Sequence, residues 1–178
     1  MHVRTLSQAL KYVEKVKICT VMSSKSAELA SLWDAVDLPD DEGETKWGRR
    51  VEAIWRWKNE LPHKYPDRIF YGKLPGGLAA LMTIAYLRDT HYPSHHQSVE
   101  ACRPLAQDVF TLIRRSSGAT TAAIRREAIE LYGCTKSQFD TALKQLQTTL
   151  NVARVNSAPM EPDAWVPFTE MYIDVLQA

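Results

Sequence analysis

No apolar run in this chain reaches the roughly 20 residues needed to span a bilayer. The longest, LAALMTIAYL at 78–87, is about half that length, so no membrane partner is expected. Cysteine is scarce: Cys19, Cys102 and Cys134 are odd in number and far apart. That fits reduced, buried thiols better than a disulfide framework. Met1 to Lys17 intersperses Arg4, Lys11, Glu14 and Lys15 with apolar positions at helical spacing, unlike a secretory signal, so a cytoplasmic location is expected. Net charge is only +1, which argues against a protein that coats polyanions without selectivity. Internal repeats and low-complexity tracts are missing, as are a full Walker or dinucleotide pattern, a Gly-x-Ser-x-Gly elbow and a Cys/His nucleophile pair. No cofactor and no catalytic set is expected.

What is present is the composition of a folded domain, 45% hydrophobic and 24% charged. Its 178 residues suit one generous domain or two small ones sharing an interface. Charge is arranged in blocks. Residues 28–44 hold seven acids and no Lys or Arg, while residues 46–73 hold eight basic and three acidic side chains. Residues 103–156 hold eight basic against four acidic, and the last 22 residues carry four acids and no Lys or Arg. Such blocks either neutralise one another inside the fold or leave one basic face for a polyanion.

Leu6, Leu10 and Val13 predict a first helix over about 4–15, and VKICTVM (16–22) a buried strand. SAELASLWDAV (26–36) predicts a short helix ended by Leu38-Pro39, ahead of an acidic loop. A longer helix is predicted at about 45–61, stopping at Pro62. RIFYGKL then reads as a strand, Pro75-Gly76-Gly77 as a turn, 78–88 as an apolar helix, and His91 to Gln97 as a linker.

Beyond the linker the pattern is sharper. LAQDVFTLIRR (105–115) sets Leu105, Val109, Leu112 and Ile113 on one face, and TTAAIRREAIELYG (120–133) does the same with Ile124, Ala128 and Leu131 before a C-capping Gly133. Thr135 and Gln138 then form a capping box for a helix to Leu150, striped by Phe139, Leu143, Leu146 and Leu150. NVARV and AWVPF read as an antiparallel hairpin. Helix, helix, turn, helix, hairpin is the order of a winged helix, whose third helix enters the DNA major groove. The expected fold is α+β and predominantly helical, with an N-terminal helix/strand unit (1–98) carrying a C-terminal winged helix (99–178).

On that third helix Lys136, Ser137, Thr141, Lys144 and Gln145 lie off the apolar stripe, and Arg154 precedes the wing; these are types that contact phosphates and base edges. Any amphipathic helix exposes polar residues, however, and Asp140, Glu161 and Asp163 oppose DNA. The helix at 45–61 directs Ile54, Leu61, Trp47 and Val51 to one side, with Trp55 and Trp57 at the margins. Arg49, Glu52, Arg56 and Glu60 form an outer ion-pair ladder. Arg50 and Lys58 fall inside the aromatic arc, where a cation snorkels, stacks or awaits an anionic ligand. Lys73, beside a glycine turn expected to feed a helix, is a third candidate for phosphate. For His91, His95, His96 and Cys102, Pro93 interrupts the helix a His-x-x-x-His pair needs, so no metal site is expected.

SLWDAV (31–36), WRWKNELP (55–62), FYGKL (70–74) and the 105–150 helices, in this order, resemble a broad group of bacterial proteins related to the AlkZ/YcaQ DNA glycosylases. Members carry Leu-Trp-Glu-Ala-Val, Trp-x-Trp-Lys-Asp-Glu-Leu-Pro and Tyr-Gly-Lys-Leu before a terminal winged helix. The resemblance implies that architecture and contact with double-stranded DNA. Catalysis is not carried over: the glycosylases use Gln-x-Gln or Gln-x-Asp, and the match at Gln138-Phe139-Asp140 has Gln138 committed to capping and Phe139 to the core stripe. The expectation is a nonenzymatic DNA-associated module. The alternatives are a DNA glycosylase and a winged helix used only for protein association, and self-association stays open.

Overall fold

The computed structural model describes residues 2–24, 28–40 and 44–176. The protein is α+β, about 54% helical, with two small antiparallel sheets. Its contacts divide it into two compact units, Met1–Tyr71 with Leu78–Leu87 and Ala158–Met160, and Gly72–Gly77 with Arg88–Ser157 and Glu161–Ala178.

In the first unit Thr5 caps α1 (Leu6–Val16) by accepting the Gln8 N–H, and Ala9, Leu10 and Val13 face the core. β1 (Ile18–Thr20) is buried throughout, as its compact β-branched sequence predicts. The helix expected over 26–36 shrinks to the single turn α2 (Leu32–Ala35). The Thr20 N–H takes the Ala30 carbonyl and Thr20 bridges Ser31 in parallel, so the chain before Leu32 runs beside β1 rather than coiling. Ser26 and Ala27 lie outside the described residues. α3 (Gly48–Lys64) starts later than expected and passes through Pro62 instead of stopping there. Pro62 falls in the last turn, and the Tyr65 N–H beyond it still reaches the Leu61 carbonyl.

β2 (Ile69–Lys73) and β3 (Ala79–Thr83) flank the Pro75-Gly76-Gly77 turn, closed by the Gly77 N–H on the Leu74 carbonyl at 2.8 Å. The sheet order is β1-β3-β2, with Cys19 opposite Leu81. The helix expected over 78–88 is therefore mostly wrong. Its first half is the middle strand, with Ala80, Leu81 and Met82 all buried, and only α4 (Ile84–Tyr86) is an α-helix, leading into a π turn at Leu87–His91. A short apolar run buried on both faces has no period to tell strand from helix.

The second unit contains α5 (Tyr92–His95), a 3₁₀ turn at Val99–Ala101, α6 (Pro104–Arg115), β4 (Ala119–Thr120), α7 (Thr121–Tyr132), α8 (Lys136–Thr148), β5 (Val152–Arg154), β6 (Ala164–Pro167), α9 (Phe168–Met171) and α10 (Ile173–Leu176). The expected linker at His91–Gln97 is instead built into this unit. Pro93 fits the first turn of α5, where a missing N–H costs nothing, and His91 is buried. Gly133 caps α7 at φ +62°, and Thr135 and Gln138 form the predicted capping box of α8. Leu131 departs from its expected core position: α7 overshoots the core beyond Ala128, leaving Leu131 56% exposed.

The core of this unit joins Val109, Leu112 and Ile113 of α6, Ile124 and Ala128 of α7, Phe139, Leu143 and Leu146 of α8, and Val152 and Trp165 of the sheet. The sheet order is β4-β6-β5, both pairings antiparallel, with Ala153 opposite Val166. Trp165 buries its ring and satisfies its indole N–H on the Thr121 hydroxyl at 2.7 Å.

Candidate nucleic-acid interface

Burial of Phe139, Ala142, Leu143 and Leu146 fixes the rotation of α8 and so decides what its other side presents. Lys136, Ser137, Gln138, Asp140, Thr141 and Lys144 are exposed there, and Gln145 is half-buried at the margin. At about 100° per residue, Ser137 and Thr141 form a central ridge with Lys136, Asp140 and Lys144 on one flank and Gln138, Ala142 and Gln145 on the other.

The Gly72–Gly77 segment brings Lys73 to the lysine flank. Lys73, Lys136, Ser137, Asp140, Thr141 and Lys144 line one open depression. Gly77 is the point of close approach: a Cβ there would lie 3.0 Å from Lys144 Cδ, on a backbone already at φ +91°. The case for Lys73 as a phosphate ligand rests on a turn that feeds a helix N-terminus. That premise fails, since the turn leads into β3; the lysine meets α8 instead.

Asp140, the one acid in that lining, is held by Arg125, whose Nη2 donates to its Oδ1 at 2.9 Å. Arg125 also lies 5.5 Å from the Phe139 ring centre. The pair offsets the charge that set Asp140 against a polyanion in the sequence. A second depression lies along the other flank, between α6 and α8. It is lined by Arg103, Leu105, Ala106, Gln138, Ala142 and Gln145, and shares Ser137 and Thr141 with the first.

The family model described as AlkZ related matches residues 3–159. The chain belongs to the AlkZ-related family. No curated protein matches the chain, and no solved structure does. Membership in the AlkZ-related family points to a DNA-associated role.

Two stretches of the AlkZ-related chain have the glycosylase spacing; in Gln145-Leu146-Gln147 the first amide accepts the Arg103 N–H, Leu146 is buried and Gln147 donates to the Leu143 carbonyl, and in Gln138-Phe139-Asp140 each side chain is likewise engaged. Gln138 Oε1 accepts the Thr135 N–H at 2.8 Å, Phe139 is fully buried, and Asp140 pairs with Arg125. Arg154 stands apart from the other basic candidates, buried with its Nη1 3.1 Å from Asp163 Oδ1.

In the first unit Arg50 packs its guanidinium 4.3 Å from the Trp33 ring centre, donates to the Trp33 carbonyl and lies 3.7 Å from Asp40. Lys58 is buried, its ammonium 4.4 Å from the Trp55 ring centre, 5.2 Å from that of Tyr71 and 3.2 Å from Asn59 Oδ1. Trp57 is buried, Trp55 half-exposed and Trp47, expected on the core side, 57% exposed at the N-cap of α3. The outer ladder is partly rewired. Arg56 and Lys64 flank Glu60, while Glu52 turns back to accept the Glu44 and Thr45 N–H groups. Those bonds, the Thr45 contacts first, hold the Glu52 carboxyl below its ordinary range.

Much of the described acidic block is also used locally. Arg4 donates to Asp37 and depresses its pKa, Asp34 accepts from the Ser31 hydroxyl, and Asp40 meets Arg50. Asp41 and Glu42 lie outside the described residues.

The histidines also differ from expectation. His91 and His95 share one helical face, ring centres 4.5 Å apart, with His95 Nδ1 3.0 Å from the His91 carbonyl. His96 turns to the Thr149 carbonyl and stacks on Tyr92. Among the described residues no group of three or more His, Cys, Asp or Glu is arranged to hold a metal. Burial, with His95 adding to it, pushes the His91 imidazole down to about 4. All three cysteines are free and buried, and burial pushes the Cys19 thiol up to about 12. No helix among the described residues is long and apolar enough to cross a membrane.

Proposed function

We propose that this AlkZ-related protein is a cytoplasmic, noncatalytic module that binds double-stranded DNA through a winged helix formed by its second unit. α6, β4, α7, α8 and the β5–β6 hairpin supply the element order of that motif, with α8 as the helix offered to the major groove. The observation that carries the reading is the convergence of Lys73, Lys136 and Lys144 on one open depression whose only acid is paired with Arg125. Three ammonium groups around exposed hydroxyls suit phosphate oxygens, and each phosphate contact releases condensed counterions. Noncatalysis is supported by the engagement of Gln138 and Asp140 in a helix cap and an ion pair.

The test is duplex binding by the whole chain at two salt concentrations. The reading expects affinity that falls steeply as salt rises, and no abasic sites after incubation with alkylated or uracil-containing duplex. Absence of binding at low salt removes the DNA reading; abasic-site formation replaces it with a glycosylase. A second reading, protein association including self-association, draws on Ile129, Leu131 and Tyr132, which are exposed together at the end of α7. Sizing chromatography of wild type and Leu131→Glu tests it, with a shift to smaller size in the variant as the supporting result.

A further inference from the structure

The depression between α6 and α8 differs chemically from the lysine depression with which it shares the Ser137/Thr141 ridge. Its lining holds no carboxylate and no lysine. Leu105, with a small contribution from Ala142, supplies apolar surface, which suits a planar base better than a hydrated phosphate. Both of its amides have their oxygens occupied: Gln138 Oε1 accepts the Thr135 N–H at 2.8 Å, and Gln145 Oε1 accepts the Arg103 N–H at 3.3 Å. What each glutamine retains is its NH₂ end, a pure donor. Arg103, whose guanidinium carries donors only, lines the same space. The polar character of this flank is therefore dominated by donors above an apolar floor.

We propose that this depression takes the major-groove edge of a guanine, read by Gln145 and Arg103, while the lysine flank holds the phosphates. Guanine is the base whose major-groove edge offers two acceptors, O6 and N7, and no donor. Adenine and cytosine each present an amino group that would face the amide donors. Arg103 acts twice, its backbone N–H orienting the Gln145 amide and its side chain contributing donors. The assignment rests on the DNA-binding reading and adds a base preference to it.

The test is selection of bound molecules from a pool of duplexes of random sequence, using the whole chain, followed by sequencing. Wild type is expected to enrich guanine at one position by about fivefold or more, the lower end of a bidentate contact. Arg103→Gln keeps the backbone N–H and removes the guanidinium; Gln145→Met keeps the bulk and removes the amide. Each is expected to melt like wild type, to keep the same salt dependence and to lose the guanine preference. Gln145→Glu, which presents acceptors, is expected to move that position towards cytosine. Three results overturn the inference alone: binding with no base preference, preference for another base, or guanine preference that survives both variants. Failure of wild type to bind any duplex overturns the DNA-binding reading itself, and this assignment with it.

Discussion

Lys58 in the first unit and Lys136 and Lys144 in the second are the same residue type in opposite surroundings. Lys58 is 7% exposed with its ammonium against the Trp55 and Tyr71 rings, whereas Lys136 and Lys144 stand exposed around an open depression. Arg50 follows Lys58: its guanidinium is shared among the Trp33 ring, the Trp33 carbonyl and Asp40. A cation held by rings has already exchanged water for protein, so a phosphate would have to displace those contacts. A solvated lysine has no protein contact to give up when it meets a phosphate and releases the counterions condensed there. Local sequence charge is thus a poor guide to a binding face. The block at 46–73 has the larger excess of basic residues, yet Lys73, at its end, is the member that joins α8.

The comparison breaks most severely if α8 loses its seat. Phe139→Ala removes a fully buried ring and is expected to cost about 3–5 kcal/mol, read by denaturant unfolding, and to take duplex binding with it. Arg125→Ala leaves Asp140 unpaired beside the lysines. Duplex affinity is expected to fall severalfold and to recover in the double variant with Asp140→Asn; no recovery would detach Asp140 from the surface.

Lys58→Met, which exchanges the ammonium for an apolar end of similar length, is expected to change stability by less than about 1.5 kcal/mol and to leave duplex binding unchanged. A separate effect is on acid stability. His91 titrates at about 4 when folded against 6.5 ordinarily, so the unfolded chain binds the extra proton first. Its stabilisation is complete above pH 6.5 and is lost as pH falls towards about 4. His91→Gln should flatten the melting temperature over that window.

The second unit was the more legible in sequence because its elements are set by local rules. The Thr135/Gln138 box, the Gly133 cap and the Phe139 stripe each occupy the places their spacing predicts. The first unit was less legible where tertiary pairing decides. β3 becomes a strand because β1 and β2 flank it, and residues 28–31 stay extended because β1 takes their hydrogen bonds. Half the candidate site was readable from the helical wheel of α8. Arrival of Lys73 was not, because it depends on contacts across more than sixty residues, and neither were the Arg125–Asp140 pair and the Arg103–Gln145 bond that orients an amide.

The most direct test compares two variants of the whole chain, Lys73→Gln/Lys136→Gln/Lys144→Gln and Arg50→Gln/Lys58→Gln, by duplex affinity against salt. Removal of three phosphate contacts is expected to lower the slope of log affinity against log salt by about 2 to 3, while the second variant, if folded, keeps the wild-type slope. An unchanged slope in the lysine variant, or a flattened slope in the folded Arg50/Lys58 variant, would contradict the assignment of the binding face to α8.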